Sequence, residues 1–211
     1  MKRALWLTIW VLGLGGVLSA ESIDVGWFRQ SWPKESVREL EVGRYPVRWR
    51  QRVSRQDGLF AGVRYEAPLS RQAVWDRAAD YHDIGRLTPG VRAVRFLEDT
   101  PTRQVIQLDV KVLWKPVTLT FEVERDPPRE IRFRWPGGRW GELTGVCVFQ
   151  DGSVPGRTMV ELATRFQPSR PLPLGLLLVV ERAALLSAVR EFLESCDHQK
   201  VSDTFQSRKG V

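Results

Sequence analysis

The sequence predicts an α+β fold in which a curved antiparallel sheet of seven or eight strands wraps around one long C-terminal helix. Three observations carry that reading. Strand-like runs follow one another from residue 91 to 167, separated by Pro, Gly and Asp turn chemistry. Within them apolar and polar residues alternate with period two, as in a sheet with one dry and one wet face. After Pro171-Leu172-Pro173 a single apolar-striped helix runs to about Cys196.

The elements begin behind a segment of another kind. Lys2 and Arg3 precede an apolar run from Ala4 to Leu18, and Ser19-Ala20 offers a small-residue cleavage point. This is the layout of a secretory signal, so residues 1–20 are expected to be removed and the protein exported, periplasmic or secreted. The alternative is an uncleaved membrane anchor. Against it, the run is shorter than the ~20 residues of a comfortable span, and Gly13, Gly15 and Gly16 weaken it as a helix. No cysteine lies near the cleavage point, which argues against lipoprotein processing.

Residues 21–42 read as an N-terminal extension packed through Trp27 and Trp32, with a short helical pattern near Glu35–Leu40. A domain spanning 43–196 follows. Val47, Trp49, Gln51 and Val53 alternate with Arg48, Arg50 and Arg52, then Asp57-Gly58 supplies a tight turn. A second strand through Ala61, Val63 and Tyr65 ends at Ala67-Pro68. Ser70 is placed to cap a helix whose apolar residues are Val74, Trp75 and Ala78. A loop with Ile84, Leu87 and Thr88-Pro89-Gly90 leads to strands at 91–98, 104–114, 117–125, 130–135, 140–150 and 157–167. A hairpin centred near Pro128 would set Glu124 opposite Arg132 and Glu122 opposite Arg134, pairs that fix register and need no functional reading. Leu185, Val189, Phe192 and Cys196 line the final helix, with Leu178, Leu186 and Leu193 alongside. About 24 residues at about 1.5 Å each give a rod long enough to cross the sheet. Residues 197–211 are polar and aperiodic, and are expected to form a mobile tail.

Composition narrows the chemistry. The chain carries a net +7, which becomes +5 without Lys2 and Arg3. The excess arginine is scattered rather than gathered on one stripe, which argues against nucleic acid and for a solvated basic surface with some affinity for anionic membranes. Cys147 and Cys196 are expected to be buried free thiols, although export permits a disulfide. His82 and His198 have no ligand spacing around them, so neither a metal nor another cofactor is expected. No Ser-His-Asp set, inner carboxylate pair or phosphate loop stands out, and no residue is assigned as catalytic.

The dry face of such a sheet must be covered, and a helix gripped by a curved sheet leaves a gap suited to apolar ligands. The alternation directs Val63, Tyr65, Ile106, Leu108, Val110, Val112, Trp114, Leu119, Phe121, Phe133, Trp135, Cys147, Phe149, Val160, Leu162 and Thr164 toward that gap. Leu178, Leu185 and Val189 would form its helical lid. Each also suits a packed core. The inner polar groups are few: Tyr65, Thr164 and the indoles of Trp114 and Trp135, any of which could orient a ligand or bond internally.

The ordered set Asp57-Gly58-Leu59, Ala67-Pro68, Val74-Trp75, Asp80-Tyr81, Thr88-Pro89-Gly90-Val91, Gly145, Thr158 and Leu172-Pro173 resembles the SRPBCC (START-like, helix-grip) superfamily. Within it, the set is most similar to the coenzyme-Q-binding and polyketide cyclase/dehydrase group. The resemblance spans about residues 57–196. It implies a helix-grip fold that binds lipids, quinones, polyketides or similar apolar molecules. It does not imply one reaction. Where the family often has a tryptophan two residues after the strand glycine, this chain has Cys147, which implies a reshaped pocket. Three readings follow: a carrier of an apolar small molecule or lipid with membrane-surface contact, a cyclase or dehydratase acting on an aromatic or polyketide substrate, and an assembly protein whose pocket is filled by its own side chains. Ligand identity, partners and oligomeric state are not encoded in any motif.

Overall fold

The computed structural model describes residues 22–29, 37–54, 58–81, 91–112, 115–137, 141–169 and 174–209. Its strands are β1 (Val37–Val42), β2 (Tyr45–Ser54), β3 (Gly58–Ala67), β4 (Val91–Asp99), β5 (Arg103–Val112), β6 (Lys115–Asp126), β7 (Glu130–Pro136), β8 (Gly141–Asp151) and β9 (Thr158–Pro168). Helix α1 spans Arg71–Ala78 and helix α2 spans Leu174–Lys209. The strands form one antiparallel sheet in the order β1-β2-β3-β9-β8-β7-β6-β5-β4. Meanders flank the β3–β9 pairing, which closes the chain's two halves onto each other.

The sheet has nine strands, more than the seven or eight expected, because the extension contributes one. The helical pattern expected near Glu35–Leu40 is instead β1, paired to β2 from Val37↔Arg50 to Val42↔Tyr45. Gly43, at φ +63, supplies the left-handed residue of the two-residue turn. Leu40 and Val42 then meet the same core as Val47. Pairing to a neighbouring strand outweighs a weak local helical preference.

The second departure lies at the other end. Helix α2 does not stop near Cys196 but continues to Lys209, over most of the segment expected to be a tail. No Pro or Gly interrupts residues 197–209, and Gly210 follows the last helical residue. Polarity without periodicity marks a solvated helix as readily as a coil.

Elsewhere the pattern and the structure agree. The β6–β7 hairpin sets Glu124 opposite Arg132 and Glu122 opposite Arg134. Ser70 caps α1, its hydroxyl accepting from the Ala73 N–H at 3.5 Å. Val74 and Trp75 are buried, and the Trp75 ring meets Phe149 edge-on at 5.6 Å. Both cysteines are free thiols. The loop with Ile84, Leu87 and Thr88-Pro89-Gly90 lies outside the described residues.

Two cores result. The main one fills the concave side, where Val189, Leu193 and Cys196 of α2 pack on the sheet. The helix is seated against β3 and β1. Gln51 on β2 donates to the Leu178 carbonyl at 2.7 Å, and the Tyr65 and Phe192 rings meet at 6.4 Å. Arg77 of α1 donates to the Ser195 hydroxyl at 2.7 Å, and Tyr45 hydrogen-bonds Asp197. The smaller core lies on the convex side. There the extension crosses the sheet as a strap: Ser22 and the Ile23 N–H donate to Glu124 on β6, and Val25, Trp27 and Phe28 pack with Phe60, Val146, Val148 and Ala163 of β3, β8 and β9. Trp27 meets Phe60 at 5.5 Å, and the Arg50 guanidinium lies 4.3 Å above that ring. Arg50, expected on a wet face, is therefore buried.

Candidate functional site

The strand register assigns one face to the expected lining. The pairs Ala61↔Thr164↔Gly145↔Phe133↔Val123↔Gln104 form one row across β3, β9, β8, β7, β6 and β5. Its neighbour runs Val63↔Leu162↔Cys147↔Ile131↔Arg125. Side chains on paired residues share a face, and Val63, Ile131 and Val123 belong to the concave core. The expected residues on β3 and β5–β9 therefore point to the concave side wherever their side chains are described. Trp114 lies outside the described residues, as do the side chains of Val110 and Val112.

Burial separates these residues into two groups. Val63, Ile106, Phe149, Val160 and Val189 retain at most 2% of their surface, and Tyr65, Leu108, Leu119, Trp135 and Thr164 are also buried. In this state they are wall and core. Phe121, Phe133, Cys147 and Leu162 are different. They sit on β6–β9, in the middle of the sheet, yet are only half-buried. Leu178 and Leu185 on α2 are half-buried too. A central strand is remote from the molecular rim, so this apolar surface is the candidate lining of a space between sheet and helix. Helix α2 is seated against β3 and β1, to one side of that surface. Gly145 shapes the surface, since the Phe133 ring lies over the position where a Cβ would stand.

Several polar groups on this face escaped the sequence reading, among them Gln104 and Arg125 by register and Glu181 of α2. Glu181 of α2 is 9% exposed. One of its oxygens, Oε1, accepts from the Thr164 hydroxyl at 2.7 Å, while Oε2 is buried with no hydrogen-bond partner. Burial raises its pKa from 4.5 to about 7, against the smaller opposing effect of the Thr164 hydrogen bond. The signal was present: Glu181 stands three residues after Leu178 and four before Leu185, which puts it on the helix's inner stripe.

Burial acts likewise on the phenols and thiols nearby. Burial holds the Tyr65 and Tyr81 phenols and the Cys147 thiol well above their ordinary values. It also raises Cys196 to about 11, so neither thiol is a nucleophile near neutral pH. Among the described residues no group of three His, Cys, Asp or Glu side chains is placed to hold a metal, and no helix is long and apolar enough to cross a membrane.

Comparison with known proteins places this geometry. Human STARD10 superposes with a TM-score of 0.63 at 11% identity, over 91% of this chain and 86% of that one. A STAR-related lipid transfer protein from Xanthomonas axonopodis gives 0.58 at 12%, over 77% and 99%. The Zhui aromatase/cyclase of a Streptomyces species gives 0.55 at 22%, over 66% and 94%. At these identities the likeness is one of fold, the helix-grip fold. No curated relative matches the sequence significantly. The model of the family described as polyketide cyclase/dehydrase and lipid transport matches residues 67–193, more than half of the chain, and the protein belongs to that family.

Proposed function

We propose that this protein binds and carries a hydrophobic ligand, of the lipid, quinone or polyketide kind, in the space between the sheet and α2. The observation that carries the reading is apolar surface left accessible at the centre of the sheet, on Phe121, Phe133 and Leu162 beside Cys147. Burying it under a ligand gains roughly 25 cal/mol per Å² before the cost of immobilisation. The family's membership and its helix-grip relatives, which include lipid transfer proteins, support the same assignment. Val179 and Val53, exposed beside the Gln51–Leu178 contact at the start of α2, support contact with a membrane surface. The N-terminal charge and hydropathy pattern supports export, and sequencing of secreted protein is expected to begin at or near Glu21.

A second reading is favoured by one feature. Glu181, protonated up to about pH 7, is a carboxylic acid within an apolar wall, as an acid catalyst of cyclisation or dehydration would require. Turnover of an aromatic polyketide by the purified protein, abolished in Glu181→Gln, would establish it.

The carrier reading is tested by Cys147→Trp. In an open space the indole fills volume that the ligand needs, so uptake of a fluorescent lipid falls while the melting temperature holds. In a solid core the same change overpacks and costs about 1–3 kcal/mol. Lost stability, together with no uptake by the parent protein, would refute the reading.

A further inference from the structure

We infer that Glu181 is the ligand-selecting group of this site, and that it selects an apolar molecule bearing a carbonyl-type acceptor oxygen, such as a ketone, quinone or ester. The inference rests on the carrier reading and adds to it the polar chemistry of the ligand. Two features carry it: the direction of one hydrogen bond and an atom left without one.

The Thr164 hydroxyl donates to Oε1 of Glu181. With Thr164 donating in this way, the proton of the neutral acid lies on Oε2. Oε2 is buried and has no partner. A buried donor without an acceptor costs about 1–3 kcal/mol, a penalty that a ligand oxygen relieves on binding. The group is also positioned for it. Leu178 and Leu185, one turn to either side on α2, and Leu162, two residues from Thr164 on the same strand face, all keep accessible surface. Thr164 and Glu181 come from β9 and α2, so the donor is held by both walls of the cavity.

Arg125 of β6, on the same face by register, lies near Tyr81. The carboxyl of Glu181 is shifted by burial and, in the opposite sense, by the Thr164 hydrogen bond. On the elements packed around it, Tyr65 of β3 and Cys147 of β8 are held neutral by burial. Arg38, on the α2 side of β1, is exposed, and Arg182 of α2 is half-buried. Ionisation of Glu181 removes the Oε2 proton and with it the donor.

The test compares a long-chain methyl ketone with the alkane of equal carbon count. Both are delivered from cyclodextrin to the full chain, and affinities are read by displacement of a fluorescent lipid. At about pH 6 the parent is expected to bind the ketone about tenfold more tightly, the worth of one buried hydrogen bond. Glu181→Leu is expected to bring the ratio to about one while still binding the alkane, which shows that it is folded. Glu181→Gln keeps an N–H donor at the same position and is expected to keep the preference at about pH 6 and about pH 8.5, whereas the parent loses it at the higher value. Equal binding of ketone and alkane by the parent at about pH 6, or a preference surviving in Glu181→Leu, overturns the inference and leaves the carrier reading standing. Binding of neither probe by the parent overturns both.

Discussion

Replacing Glu181 by Gln should flatten part of the protein's pH dependence of stability, by an amount that follows from the structure. Burial moves this carboxyl from 4.5 to about 7. Between those values the folded chain holds a proton that the unfolded chain has released, so stability falls as pH rises through this window. Below it both states are protonated and the ionisation cost vanishes. Above it the folded state must bury an anion. At about 1.4 kcal/mol per tenfold change in proton affinity, the full cost is about 3 kcal/mol. Glutamine retains the Thr164 hydrogen bond at Oε1 and cannot ionise. Urea unfolding of parent and Glu181→Gln at about pH 5 and about pH 8 measures the difference directly. The parent is expected to lose about 2–3 kcal/mol more than the variant between the two conditions. Other groups titrate alike in both chains and cancel. Parallel pH profiles for the two proteins would mean that Glu181 is solvated in the folded state, and the enclosed carboxyl would have to be abandoned.

Two further substitutions probe the faces of the sheet separately. Gly145→Ala puts a methyl where the Phe133 ring now lies; a loss of about 1–3 kcal/mol is expected, and the added cost of the alanine should vanish in a Phe133→Ala background, as read by thermal melting. On the convex side Arg134 meets the buried Glu122 at 2.6 Å; Arg134→Leu strands that carboxylate and is expected to cost about 3–5 kcal/mol in urea unfolding, with much of it recovered in Glu122→Leu/Arg134→Leu.

The sequence by itself determined the sheet from β4 to β9, the register of the β6–β7 hairpin, and which side of each strand is dry. These follow from period-two alternation and local turn residues, which act over a few positions and need no distant partner. It also determined the presence of α2 and the concave side of the described strand residues. Tertiary structure decided three things. It made Val37–Val42 a strand, because Leu40 and Val42 find apolar partners only once β2 and the main core are in place. It turned residues 22–28 into a strap over the convex face, because Phe60, Val146 and Ala163 lie on three different strands and form one patch only after those strands pair. And it separated covered from accessible side chains: alternation cannot distinguish Val63, fully buried, from Leu162 opposite it, which keeps accessible surface. That distinction depends on where α2 rests against the sheet. The same placement buries Glu181 against Thr164, so the most chemically distinctive group of the site is set by a contact between α2 and β9 rather than by a motif.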